Sequence, residues 1–228
     1  MLIVILVVGL VLALAVLPGM WVKSVIARHA GARGDLPGTG GEFARHILDE
    51  MKLHHVKVEE TTLGDHYDPD AKAVRLLPDH MRGRTLSAVV IAAHEVGHAM
   101  QDATSYPPLA ARTRLARQAQ RVEVFGAVVM LAAPIVLAFA KSPHLMVIQI
   151  AAGVLILSMT VLMHAVTLPV EFDASFRRAL PVLRAGRYIP DEDMGAARQI
   201  LRAAALTYVA AAALSLLDVM RWFRVLRF

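Results

Sequence analysis

Four runs of apolar residues set the terms on which this chain can fold: Leu2 to Val22, 122–140, Leu145 to Leu168, and Ala203 to Val219. A bilayer's hydrocarbon core asks for about 20 consecutive apolar residues in a helix, and each run approaches or exceeds that length. Apolar residues make up 57% of the 228 and charged ones 19%, against about 45–50% and 25% in an ordinary globular domain. The excess is gathered in blocks, which is the pattern of spans rather than of a larger core. Leu2 to Val22 lacks the basic start and small-residue cleavage site of a removed leader and reads as a retained span. The second and third runs, separated by a short turn at Lys141 to His144, read as a helical hairpin. The last run reads as a fourth span, a half-buried helix or an interfacial helix. It ends among Arg221, Arg224 and Arg227, which a fourth span leaves on the wrong side of the bilayer.

The net charge is +5, with arginines clustered beside the apolar blocks and few aromatics among them. That is a headgroup-anchoring pattern rather than a nucleic-acid surface. Basic residues follow the first run (Lys23, Arg28, Arg33), precede the second (Arg112, Arg114, Arg117, Arg121) and follow the third (Arg177, Arg178, Arg184, Arg187). The bias places 23–121 and 169–200 together on the cytoplasmic side. There is no cysteine, so disulfides and thiolate metal sites are excluded.

Between the first two runs the pattern is that of a small domain. Gly31 to Gly41 reads as irregular, and Glu42 to Leu53 as an amphipathic helix with Phe43, Ile47, Leu48 and Met51 on one side. Val56 and Val58 suggest a strand, Asp65 to Asp70 a turn, and Ala73 to Leu77 a second strand stopped by Pro78. Thr85 to Ala103 is helical again. Pro107 and Pro108 precede a long helix from Leu109, and Asp191 to Asp193 sit where a helix's N-terminal acids belong. The expected domains are an N-terminal transmembrane helix (1–22), a small cytoplasmic domain (23–121), a transmembrane hairpin (122–168), a helical segment (169–200) and a C-terminal apolar helix (201–228) that could form a fourth span.

The sharpest chemistry lies at His94-Glu95-Val96-Gly97-His98. Two histidines four apart stand one above the other on a helix face, so their imidazoles can converge on one ion. Glu95, about 100° around, can take a proton from a water at that ion. Zinc takes imidazole nitrogens tetrahedrally and makes water acidic near neutrality. Gly97 lets a neighbouring backbone come close. A metzincin pattern would need histidine at 104 and glycine at 101, where Thr104 and Gln101 stand. Glu171 is the leading candidate for a third ligand, and His164 is its rival. Glu171 lies on a helix on the motif's side of the membrane, and His164 lies within an apolar block. Asp173 could orient a ligand histidine.

Several segments resemble the YugP-like neutral zinc metallopeptidases of bacteria, related in outline to the HtpX-type membrane proteases. These are His66-Tyr67-Asp68-Pro69 with Val74-Arg75-Leu76, Ala92 to Gln101, Pro169 to Ser175, and Ala205 to Ala210. They run in the family's order across nearly the whole chain. The resemblance implies a gluzincin-type endopeptidase using one Zn2+, with His94, His98 and Glu171 as ligands and Glu95 as general base. HtpX-type enzymes carry an acid four residues after the ligand glutamate, where this chain has Ser175, so that role does not carry over. By the same resemblance, Ala73, Val74, Arg75, Leu76 and Leu77 are a candidate strand for pairing with substrate, or else part of a plain structural hairpin. Tyr208 is a candidate oxyanion donor or a helix-helix bond.

The expected fold is a mostly α membrane protein, with three or four transmembrane helices and a small α+β zincin-like domain at the membrane surface. The expected place is the bacterial cell membrane, multi-pass, with the site facing the cytoplasm. The partners are the lipid bilayer and a peptide or membrane-protein substrate, in membrane protein quality control by analogy. Nucleic acid is not expected as a partner, and the oligomeric state is left open. An inactive metal-dependent scaffold is the alternative function.

Overall fold

The computed structural model describes residues 2–122 and 143–207. Helix α1 (Leu2–Arg28) leads through a loop to α2 (Gly40–Glu50). Thr39 caps α2: its hydroxyl accepts from Glu42 N at 3.2 Å, and its own N–H donates to Glu42 Oε2 at 2.8 Å, so two otherwise orphaned donors are satisfied reciprocally. Phe43, Ala44, Ile47 and Leu48 form the buried stripe. The helix ends three residues earlier than its apolar pattern predicts, and Met51 is exposed. Gly40 belongs to the packing and not to the irregular loop. A Cβ there would stand 2.3 Å from His80 O and 2.7 Å from Ala88 O.

Strands β1 (Lys57–Glu60), β2 (His66–Asp68) and β3 (Ala73–Leu76) form a sheet in the order β1-β3-β2. β3 pairs in parallel with β1 and antiparallel with β2. The segment Asp65 to Asp70, expected to be a turn, thus contains a strand. The reversal falls just after it, where Asp68 Oδ1 accepts from the N–H groups of Asp70 and Ala71, both at 2.9 Å. A side chain that satisfies the backbone locally makes a tight reversal.

Pro78 opens α3 (Pro78–Arg82) rather than closing the strand, as suits a residue with no N–H at a helix's first position. Helix α4 (Leu86–Ala103) is capped by the Thr85 hydroxyl. It is buried on every side from Leu86 to Ala99, which makes it the central element of the core. α5 occupies 107–122. α6 (Pro143–Phe172) continues through Pro169 and passes directly into a π-helical segment, Asp173–Ala179. α7 (Leu180–Ala185) and a 3-10 turn (Asp191–Asp193) follow, then α8 over 194–207. α4 packs on α2, on the π-helical segment and on the sheet.

Among the described residues, no helix is long and apolar enough to cross a membrane. The expectation of three or four transmembrane helices is corrected accordingly: what is described is a mostly helical α+β domain with a small three-stranded sheet. Part of the apolar excess that suggested spans is used in the protein's own core. Val22 and Val25 of α1 and Ala203 near the end of α8 belong to the same buried cluster as Phe43, Leu48 and Val89. The run 122–140 falls outside the described residues except at its first position, and so do residues 208–219 of the last run.

Candidate metal centre

The two histidines of α4 and one carboxylate at the end of α6 meet in the interior. His94, His98 and Glu171 bring one potential ligand atom each within 4.8 Å of the others. Glu171 Oε2 lies 3.1 Å from His94 Nε2 and 3.3 Å from His98 Nε2. Four-residue spacing on α4 puts the two rings side by side, edge to face with centroids 4.8 Å apart. The close approach that brings Glu171 to them depends on Gly97. A Cβ at that position would stand 2.6 Å from Ala174 O, so the backbone of the π-helical segment can come this close to α4 only because the side chain is missing. π-helical segments within α-helices are frequent at functional sites, and this one begins two residues after Glu171.

The far nitrogens of both rings are held. Ser175 Oγ donates to Leu201 O (3.2 Å) and lies 2.9 Å from His94 Nδ1, so His94 Nδ1–H is the donor in that contact. Gln101 Oε1, which can only accept, lies 2.9 Å from His98 Nδ1. The Gln101 amide in turn donates to Val170 O and to Asp173 Oδ2, both at 2.8 Å, and Arg178 Nε donates to the same Asp173 oxygen at 2.8 Å. With both Nδ1 atoms committed as donors, both Nε2 lone pairs face Glu171.

This arrangement fits a cation. Two imidazole lone pairs facing one carboxylate oxygen at 3.1 and 3.3 Å are repelled by it unless positive charge lies among them. Neighbouring ligands of a tetrahedral zinc, at about 2.0–2.1 Å each, stand about 3.3 Å apart, which is close to the spacing between each imidazole and the carboxylate oxygen. Glu171 is wholly buried, and an isolated carboxylate there would be strongly disfavoured. Burial alone pushes its carboxyl up, but positive charge at His98 and His94 and their hydrogen bonds outweigh that and hold it well below the usual range; with both rings neutral, that positive charge is the part a bound cation would take. Among the described residues, the second oxygen of Glu171, Oε1, makes no hydrogen bond, and it lies 3.2 Å from Arg112 Nη1.

Glu95 is buried beside the cluster, and burial pushes its carboxyl up to about 7. The His94 charge lowers it, Glu171 and Asp65 raise it further, and Arg112 lowers it. A carboxylate poised near neutrality is suited to take and return a proton.

Of the other residues singled out in the sequence, Asp173 reaches His98 only through Gln101. Its expected place beside a ligand is therefore one amide removed. His164 has a side chain outside those described, and Tyr208 lies outside the described residues. The strand of Ala73, Val74, Arg75 and Leu76, continued by Leu77, does not serve as an added-substrate edge. β3 is the middle strand, with β1 and β2 on its two sides, so its backbone groups are already taken.

Three residues at the centre escaped the sequence reading. Gln101 stands three residues after His98 on the same helix, a spacing that could have flagged it. Ser175 stands four after Glu171 and was read only as a missing acid. Arg112 was counted with three other arginines beside an apolar run, and nothing in that run distinguishes it.

Residues 3–227 match the family described as "Putative neutral zinc metallopeptidase". The chain belongs to that family. A curated relative, "Putative membrane protease YugP" of Bacillus subtilis (strain 168), is 36% identical over 207 residues, covering 90% of this chain and 88% of that one. No solved structure matches the chain. Membership in a zinc metallopeptidase family and a buried His-His-Glu cluster that could hold a metal ion agree with each other, and the sequence resemblance is borne out at that level.

Proposed function

We propose that the chain is a zinc-dependent endopeptidase of the gluzincin type, with His94, His98 and Glu171 holding the ion and Glu95 acting as general base. The observation that carries this reading is the convergence of both imidazole Nε2 atoms on one oxygen of a wholly buried glutamate, at 3.1 and 3.3 Å. Zinc, when bound, supplies a Lewis acid that makes a water acidic near neutrality and polarises a carbonyl.

The chain's own residues supply the rest. Glu95 takes the proton of the attacking water as its oxygen bonds to the scissile carbon, and returns it to the amine as the C–N bond breaks. Ser175 and Gln101 fix the ring orientations, so the ligand set is organised before the ion arrives. An extended substrate would pair along the free edge of β2, not along β3. Asp65, at the head of β2, is close enough to Glu95 to act on its carboxyl. The Bacillus relative is named "Putative membrane protease YugP", and that supports a membrane as the place of work; peptides are the substrate class the family implies.

The test is cleavage of casein or a quenched-fluorescence peptide with and without chelator. Wild type should cleave and stop on chelation. Glu95→Gln should lose about 10²–10⁴-fold in turnover, the range of a general base, while keeping its zinc. Full proteolysis by that variant would contradict the assignment. Zinc held at one per chain with no cleavage by wild type would favour the metal-dependent scaffold.

A further inference from the structure

Four arginines follow the motif helix in one basic stretch, and Arg112 is turned largely inward. Arg117 pairs with Asp70 at the surface, where its side chain is 58% exposed, and Arg112 is 19% exposed. Its Nη1 lies 3.2 Å from Glu171 Oε1, on the side of that carboxylate turned away from the imidazoles. Its charge also acts on Glu95, lowering that carboxyl. A single guanidinium from α5 therefore stands against both carboxylates of the centre.

A purely structural role explains this poorly. Glu171 already has its counter-charge in the cation that the two neutral imidazoles fit. A permanent second cation beside a divalent ion adds repulsion that folding does not require. The repulsion is offset when negative charge develops next to the ion, which is what happens when a carbonyl becomes tetrahedral. The guanidinium stays charged at any working pH and presents a fixed fork of N–H donors, suited to an oxyanion. Partial burial makes such a donor worth more than it would be in water.

We propose that Arg112 is a catalytic residue, the donor that receives the developing oxyanion of the scissile carbonyl. The inference rests on the hydrolytic reading above. As water's oxygen bonds to the carbonyl carbon and its proton passes to Glu95, the carbonyl π pair moves onto oxygen, and Arg112 donates to that oxygen. When the C–N bond breaks and Glu95 returns the proton, the π bond re-forms and the donor is released.

The test compares wild type, Arg112→Gln and Arg112→Lys in three measurements: zinc affinity by competition with a chelating dye, kcat and KM on a neutral peptide, and affinity of the zinc-loaded protein for a phosphinic peptide, an anionic mimic of the tetrahedral state. Arg112→Gln should keep one zinc per chain with affinity within about threefold and KM within about threefold. It should lose about 10²–10³-fold in kcat, the cost of one oxyanion donor, and phosphinic affinity should fall in step. Arg112→Lys, keeping the charge without the fork, should recover part of both. Unchanged kcat in Arg112→Gln overturns the proposal. So does zinc affinity falling in step with kcat, which would make Arg112 a positioning residue for Glu171. If wild type itself shows no chelator-sensitive cleavage, the hydrolytic reading fails, and equal phosphinic affinity in wild type and Arg112→Gln then overturns the role of Arg112 as well.

Discussion

The two histidines of α4 look equivalent in the sequence and are supported by different means. His98 is held from its own helix: Gln101 accepts its proton, then donates to Asp173, which Arg178 also holds. His94 is held from far along the chain by Ser175, 81 residues away, whose own bond ends on a backbone carbonyl of α8. One support ends on an ion pair and ties α4 to the π-helical segment. The other is neutral and ties the site to α8. Neither ring has a carboxylate directly on Nδ1, the partner that raises ligand basicity in many zinc sites. The neutral partners leave a bound ion a stronger acid.

The largest expected effect removes what the two rings share. Glu171→Ala takes away the oxygen that both Nε2 atoms face, and zinc binding should fall far beyond the 10–100-fold of an outer-sphere change, as read by dye competition. Retention of one tightly held zinc would point to a different third ligand, His164 included. Gln101→Leu comes next. It frees His98 Nδ1 and strips the amide from Asp173 and Val170 O, so zinc affinity should drop about 100-fold and stability by about 2–3 kcal/mol in chemical denaturation. Ser175→Ala should cost about 10-fold in zinc and about 1 kcal/mol, because the hydroxyl serves fewer partners. Equal losses in these two variants would break the distinction between the supports.

Gly97→Ala presses on Ala174 O, between the two supports, and should destabilise by about 1–3 kcal/mol without favouring one ring over the other. The smallest effect concerns pH. Glu95 works as a base only when deprotonated, so kcat/KM falls as pH drops through its pKa, about tenfold per unit below it. Burial sets that pKa up to about 7, and a bound cation lowers the acid limb from there. Neither Gln101→Leu nor Ser175→Ala touches Glu95, so the limb should move by less than about half a unit in either. A larger shift in one of them would show that its support also sets the base.

What could be read in advance followed from local spacing. The i, i+4 histidines, the Thr85 start of α4, the buried stripe of α2, the close approach at Gly97 and the strand at Ala73 need only neighbours along the chain. Glu171 is the third ligand the sequence favours, and it stands against both imidazoles. β2 was hidden because His66-Tyr67-Asp68 has no run long enough to show alternation, and its edge position is a property of the sheet. The role expected of β3 fell for the same reason: which strand lies in the middle is decided by pairing. Arg112 and Ser175 were invisible as site residues because contacts across 59 and 81 positions leave no local trace. The apolar runs misled where α1 and α8 send valines and alanines into the core, since a sequence does not say whether an apolar residue meets protein or lipid.

The central claim is that two imidazoles and one carboxylate hold a single zinc, and X-ray absorption fine structure of the zinc-loaded protein tests it most directly. Imidazole rings give distinctive multiple scattering. The prediction is two of them per zinc, with the remaining ligands oxygen at about 2.0–2.2 Å, and loss of oxygen scattering or of bound zinc in Glu171→Ala. Three imidazoles per zinc, or a spectrum unaltered by Glu171→Ala, would contradict it.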